Sequence, residues 1–234
     1  MNFSAAPAGA PRRRRGRNWR AGCLAGMFAL ASVQADPPHL HLFRRDYRPD
    51  NIFAYPTKLS LDFRRVAVLP LAAGSGGDDL SEGCRALAPI LFEQLIKTKR
   101  FEAISVDPVN LRRGTGQDHW TGTETLPPDF LGSLRRDYGC DGVLFAELTT
   151  YHAYAPLAVG WRLKLVDARS GQILWAADEM FDASQPTVQR AAQHFEVQRS
   201  LWPFGHQENW LALNSPLQFG RYSAAALLGT LPGR

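Results

Sequence analysis

The sequence predicts an α/β fold, a single mixed β-sheet with helices packed on it. Three observations carry that expectation. The short apolar run Arg65-Val66-Ala67-Val68-Leu69-Pro70-Leu71 stops at proline and leads through glycines into a helical pattern, the order of a strand–loop–helix unit. Residues 141–154 contain Val143-Leu144-Phe145-Ala146, apolar at consecutive positions, which suits a strand covered on both faces. Val159, Trp161, Leu163 and Leu165 then alternate with Gly160, Arg162, Lys164 and Val166, the period-two pattern of a strand with one buried and one wetter face.

The elements follow in chain order. Residues 36–63 carry Pro37, Pro38, Pro49 and Pro56 among polar and aromatic residues and read as an irregular lead-in on the domain surface. The 65–71 run is the first strand, and Gly74, Gly76 and Gly77 mark the loop after it. Leu80, Cys84, Leu87, Leu91 and Leu95 recur every three or four residues, predicting an amphipathic helix over 80–99. Asp78, Asp79 and Glu82 open it and Lys97, Lys99 and Arg100 close it, in the sense the helix dipole favours. Pro89 is expected to kink or divide this helix. Residues 101–106 read as a second strand, 107–127 as a loop rich in Gly, Thr and Pro, and 129–138 as a short helix stopped by Gly139. Pro156 marks the bend out of the 141–154 strand. Asp167-Ala168-Arg169-Ser170-Gly171 reads as a hairpin turn in which Gly171 supplies a positive φ. Residues 173–180 return as the last strand, carrying Trp175. A helix is expected over 187–198, and Ser215 opens a final one through Leu228 with Pro216 at its first position. The predicted order is β-α-β-α-β-β-β-α-α.

Charge decides the domain organisation and excludes a class of partner. The 234 residues hold 27 Lys+Arg against 22 Asp+Glu, a net charge of +5. Residues 1–35 contain six arginines and no acid, so residues 36–234 carry 21 basic against 22 acidic side chains, a net charge of −1. The basic excess therefore argues for no nucleic-acid partner. Those arginines precede the apolar run 21–33 and the small-x-small sequence Val33-Gln34-Ala35, the layout of a secretory signal peptide cleaved near Ala35-Asp36. Cys23 stands at the head of the apolar run, just after the charged Arg20, instead of following the run, which argues against lipidation there. No stretch after residue 35 reaches the roughly 18 apolar residues of a membrane helix. With 45% hydrophobic and 21% charged residues the chain is neither disordered nor a coiled coil. The expected organisation is a signal peptide over 1–35, the lead-in over 36–63 and one α/β domain over 64–234, its core 64–182 and a helical extension 183–234. The mature chain is expected in the periplasm or cell envelope. Whether Cys84 and Cys140 pair there is left open.

The motifs yield no chemistry. Gly74-Ser75-Gly76-Gly77-Asp78-Asp79 lacks the Lys-Ser/Thr of a phosphate cradle and the third glycine of a dinucleotide fingerprint, and its aspartates occupy the place an anion would use. His39 and His41 have no neighbouring carboxylate or thiol to complete a metal shell. No serine sits in a GxSxG elbow. Asp178, Glu179 and Asp182 read as a solvated rim. No catalytic residue, cofactor or metal is expected. Trp202, Phe204 and Trp210 fall in a Gly- and Pro-broken segment, where they either cover the core or form a partner-docking patch.

Four stretches carry a resemblance: 65–71, Leu95-Ile96-Lys97-Thr98-Lys99-Arg100-Phe101-Glu102, Tyr138-Gly139-Cys140-Asp141-Gly142-Val143-Leu144-Phe145, and 161–175 from Trp161 to Trp175. Over 65–180 the chain resembles the bacterial envelope superfamily of CsgG, the TolB amino-terminal domain and LpoB. The resemblance implies a non-catalytic accessory or assembly factor in secretion, envelope biogenesis or cell-wall synthesis. It would bind envelope proteins or associate with itself, with peripheral outer-membrane attachment open. Docking would run through the sheet edge, the 107–127 loop or the 199–214 aromatic segment. Members are often lipoproteins, and here no cysteine follows the signal's apolar run. A CsgG-like outer-membrane channel subunit is an alternative, although the 154–157 connection is too short for a membrane hairpin. An enzyme using Asp78, Asp79 and Glu82 is another.

Amino-terminal sequencing of the exported protein is expected to begin at Asp36, from the soluble periplasmic fraction. A mature chain that keeps the arginine cluster would overturn the export reading.

Overall fold

The computed structural model describes residues 47–199 and 211–234, which fall in one unit, Phe43–Arg234. In chain order they form β1 (Ile52–Ala54), β2 (Arg65–Val68), β3 (Ala72–Ala73), α1 (Asp78–Lys97), β4 (Glu102–Ser105), α2 (Pro108–Thr115) and α3 (Phe130–Tyr138). Then come β5 (Gly142–His152), β6 (Ala158–Asp167), β7 (Ile173–Asp182), α4 (Pro186–Arg199), α5 (Leu211–Asn214) and α6 (Pro216–Leu228). The described strands make one mixed sheet of order β1-β7-β6-β5-β2-β4, with β3 beside β5. Strands linked through helices, β2, β4 and β5, run parallel, and the hairpin-linked β5, β6 and β7 run antiparallel. The α/β class expected from sequence is the class observed.

Pleating divides β5 between two cores. Leu144, Ala146 and Leu148 face the inner core beneath α1 and α6, while Val143 and Phe145 face an outer core beneath α2 and α3. Leu80, Leu87, Leu91 and Leu95 are the buried stripe of α1, as its period requires. Helix α6 presses Phe219, Tyr222 and Leu227 onto the same side. Two buried tryptophans of the sheet find acceptors in α6 and just beyond its end. Trp161 Nε1 donates to Ser223 Oγ at 2.8 Å, and Trp175 Nε1 donates to Thr230 Oγ1 at 3.1 Å. In the outer core, Trp120 meets Phe130 edge-on with ring centroids 5.5 Å apart, and Phe130 stacks near Phe145 at 6.1 Å.

The β6–β7 turn is the expected one. Gly171 has φ +71°, and Asp167 Oδ1 accepts the backbone N–H groups of Arg169 and Ser170, each at 2.8 Å. Burial alone would raise the Asp167 carboxyl, but these backbone donors outweigh it and hold it below the ordinary carboxylate range.

Four features differ from, or settle, the sequence reading. The lead-in contributes β1, which adds antiparallel to the edge of β7. Three residues between prolines are too few to show a period, so only the open edge of β7 specifies this strand. The stretch read as the 107–127 loop contains α2, capped by Asp107 Oδ1, which accepts from Val109 N and Asn110 N at 2.9 and 3.0 Å. Its Asp-Pro start and Gly116 stop stand in the sequence, but with Leu111 alone buried it has no apolar stripe. Pro89 lies inside α1 without dividing it. Buried Leu87 and Ile90 on either side anchor the chain against the core while the proline removes one backbone donor. Cys84 and Cys140 are both free, one packed against the inner core and the other in the outer, with the sheet between them.

Ser223→Ala leaves the Trp161 indole N–H buried without an acceptor. It is expected to lower the unfolding free energy by about 1–3 kcal/mol in chemical denaturation. The double variant with Trp161→Phe, which removes the orphaned donor, should lose little beyond the Trp161→Phe single variant. A neutral Ser223→Ala would refute the role given to this bond.

Candidate interaction surface

Coverage of the outer sheet face is unequal. Helices α2 and α3 and the segment between them close over β2 and the first half of β5. Trp161, Leu163 and Leu165 point to the inner core, so the alternate residues Gly160, Arg162 and Lys164 of β6 lie on the outer face. The register sets Asp178 beside Arg162, Met180 beside Gly160, and Phe53 of β1 beside Ala176. Phe53 and Met180 are half exposed, at 52% and 51%. The outer face of β6, β7 and β1 thus presents charged and large apolar side chains together.

Its centre is a row of three charges across three strands. Arg162 Nε donates to Asp178 Oδ2 at 2.8 Å, and Nη1 donates to both oxygens of Glu147 at 3.2 Å. Glu147 is buried, whereas Arg162 and Asp178 reach solvent. The hydrogen bond that Arg162 donates to Asp178 raises the guanidinium pKa, burial opposes it, and Glu147 adds to the rise, so Arg162 stays charged. Held from two sides, the guanidinium is oriented before any partner arrives. Lys164 Nζ donates to the carbonyl of Gly122 and ties down the rim of the covered half. On the other side the β3–α1 loop closes over Glu147. A Cβ at Gly74 would lie 3.1 Å from the Leu148 carbonyl oxygen and 3.2 Å from Glu147 Oε1, which is why glycine stands there.

The neighbouring acids also have structural partners. Glu179 accepts from the Tyr47 hydroxyl and from the backbone N–H groups of Asp50 and Asn51 at 3.3 and 3.2 Å. The Tyr47 ring packs edge-on against Phe181 at 5.3 Å, and burial, then Glu179, pushes its phenol well above the ordinary range. Asp182 Oδ1 accepts from Ser184 N at 2.7 Å. Asp178 reaches solvent, as the rim read from sequence does, yet it and Glu179 are also engaged by other side chains and backbone groups. They hold Arg162 and the entering chain, partners far off in sequence that no local pattern shows.

A separate open cleft of about 1040 Å³ lies where α3, the start of β5 and the β6–β7 turn meet. Arg135, Arg136 and Arg169 line it, with Arg136 on Asp129 at 2.6 Å and Arg169 on Asp141 at 3.7 Å. Asp78, Asp79 and Glu82 stand exposed at the start of α1, and their carboxylates make no hydrogen bond or ion pair among the described residues. Among the described residues no three His, Cys, Asp or Glu side chains gather as a metal site, and no helix is long and apolar enough to cross a membrane. His39, His41, Trp202, Phe204 and Trp210 lie outside the described residues. The sequence reading missed the Glu147–Arg162–Asp178 row. Its one local signal is Glu147, an acid inside an otherwise apolar strand.

No family model and no curated protein matches the chain. Solved structures do. The PelC dodecamer from Paraburkholderia phytofirmans is 14% identical, with 81% of this chain and 96% of that chain covered and a TM-score of 0.42. Lipoprotein GNA1162 from Neisseria meningitidis is 17% identical over 59% of this chain and 99% of that one, with a TM-score of 0.35. The LpoB C-terminal domain from Salmonella enterica is 16% identical over 50% and 82%, with a TM-score of 0.34. Likenesses of this degree assign no function.

Arg162→Ala leaves Glu147 buried without its counter-charge and is expected to lower the unfolding free energy by about 1–3 kcal/mol. Arg162→Lys should recover only part, because an ammonium cannot reproduce the forked contact. Pairing Arg162→Met with Glu147→Gln should restore most of the loss. Denaturant midpoints of the three variants check this.

Proposed function

We propose that the chain is an exported, non-catalytic accessory or assembly factor of the bacterial cell envelope, acting through protein–protein binding. The observation that carries this reading is the uncovered half of the outer sheet face. There a pre-oriented arginine stands among half-exposed Phe53 and Met180, the residue types that dominate protein interface anchors. The near-neutral charge of residues 36–234 supports a protein partner over a polyanion. The arginine-plus-apolar head supports export, with the working chain in the periplasm or attached peripherally to a membrane. The partner is an envelope protein or a second copy of the chain. The aromatic segment with Trp202, Phe204 and Trp210 is a further candidate contact, placed by sequence alone.

A photo-crosslinking residue at Met180 or Phe53, introduced in the producing cell, is expected to give discrete adducts. The same residue at exposed Leu61, outside this face, should give none. Arg162→Ala should weaken the adducts. Equal labelling from all three positions, or none, would overturn the proposal.

A further inference from the structure

The two outer edges of the sheet differ. β1 is bordered by Pro49 and Pro56, which have no N–H to offer a further strand. β4, at the other edge, carries no proline, no lysine and no bulge in its pairing with β2. That parallel pairing uses alternate residues: Glu102 N donates to Arg64 O at 2.7 Å, and Val106 N donates to Val68 O at 2.9 Å. Ala103 and Ser105 therefore turn their N–H and C=O groups away from β2, and these meet no hydrogen-bond partner among the described residues. The helix layer beside this edge is apolar. Helix α6 packs on the Leu87 and Glu93 side of α1. The opposite flank, Ala88, Phe92 and Ile96 at successive turns, looks out past β4, and Ile96 is 51% exposed. Charge completes the pattern. Lys99 lies four residues before Ala103 and Asp107 four residues after it. Lys99 is exposed and makes no ion pair among the described residues. Asp107 caps α2 through Oδ1, and its Oδ2 accepts no hydrogen bond among them.

We propose that β4 is a self-association edge, where a second copy of this chain adds its own β4 antiparallel about a two-fold axis at Ala103. Ala103 of each copy exchanges both backbone hydrogen bonds with Ala103 of the other, and Phe101 of each faces Ser105 of the other. The same operation brings Lys99 of each copy to Asp107 of the other, so opposite charges close both ends of the seam. A parallel arrangement would set like charges together. The edge is thus self-complementary, as a closed two-fold interface requires. Ala103 lies on the inner face, where its methyl group leaves room for Phe92 and Ile96 of the two copies to meet over the seam. Four residues supply few hydrogen bonds, so association rests on burying this apolar flank together with them. β4 lies at the far edge of the sheet from β1 and Phe53, and the proposal stands or falls separately from the outer-face surface.

Sedimentation velocity of the exported chain across a concentration series is expected to show a reversible dimer. Ser105→Pro removes an N–H that takes no part in the β2 ladder and sets a ring on the edge, so it should weaken the dimer at least about tenfold while Tm changes little. Ile96→Lys, at an exposed site on α1, carries the same expectation without touching the strand. Lys99→Glu should also weaken the dimer, and by less as salt is raised. Ala103→Cys reads the register. The Cα atoms of such a pair lie about 5.5 Å apart, within disulfide range, so mild oxidation should link two copies. Leu61→Cys, exposed elsewhere, should give no more linked dimer than the native cysteines do. Arg162→Ala, which probes the outer face, should leave the dimer unchanged. A monomer throughout the series, as when a different strand covers the edge, would overturn the proposal. So would a dimer unmoved by both Ser105→Pro and Ile96→Lys, a dimer lost only with Arg162→Ala, or equal linking from Leu61→Cys.

Discussion

Strand β5 is the element on which the rest of the structure depends. It pairs with β2 and β3 on one side and with β6 on the other, so it joins the parallel half of the sheet to the antiparallel half. Its side chains belong alternately to two cores: Leu144, Ala146 and Leu148 are held by α1 and α6, and Val143 and Phe145 by the Trp120–Phe130 cluster. A strand buried on both faces must be apolar at nearly every position. The exception, Glu147, is the residue that Arg162 crosses to meet. A carboxylate at that place is tolerable only with a counter-charge on the next strand, so the central strand and the outer-face charge row are one constraint.

Unequal coverage follows from the same geometry. The crossovers between β4 and β5 place α2 and α3 over the parallel half of the outer face, and the short hairpins β5–β6 and β6–β7 supply no helix for the antiparallel half. That half therefore meets solvent with Arg162, Asp178, Met180 and Phe53. The inner face is closed throughout by α1, α6 and α4, with hydroxyls of Ser223 and Thr230 accepting from the two tryptophan N–H groups. The chain entering from the amino terminus is fixed at the exposed edge by Tyr47 on Phe181 and Glu179, beside the open face.

Much of the fold was legible because the elements that carry it are long and periodic. The α1 stripe, the two-faced apolar run of β5, the alternation of β6, the Asp167–Gly171 turn and the Ser215–Pro216 helix start each state their geometry within a few residues. The elements that escaped are short. β1 and β3 have three and two residues, and α2 buries one side chain, so none has room for a period. Of the candidate surface, the sequence showed that Arg162 and Lys164 occupy the wetter face of a strand. It did not show that Asp178 and Glu147 meet Arg162, because register between strands is a tertiary property.

By itself the sequence determined the α/β class, the sites of the major helices and strands, and the near-neutral charge behind a basic head. These depend on spacing and composition, which are local along the chain. The tertiary structure alone decided which half of the outer face stays open, that Cys84 and Cys140 lie on opposite sides of the sheet, and that Arg162 stands between Glu147 and Asp178. Each of these sets side by side groups from distant parts of the chain or from opposite faces, and packing and register, not spacing, bring them together.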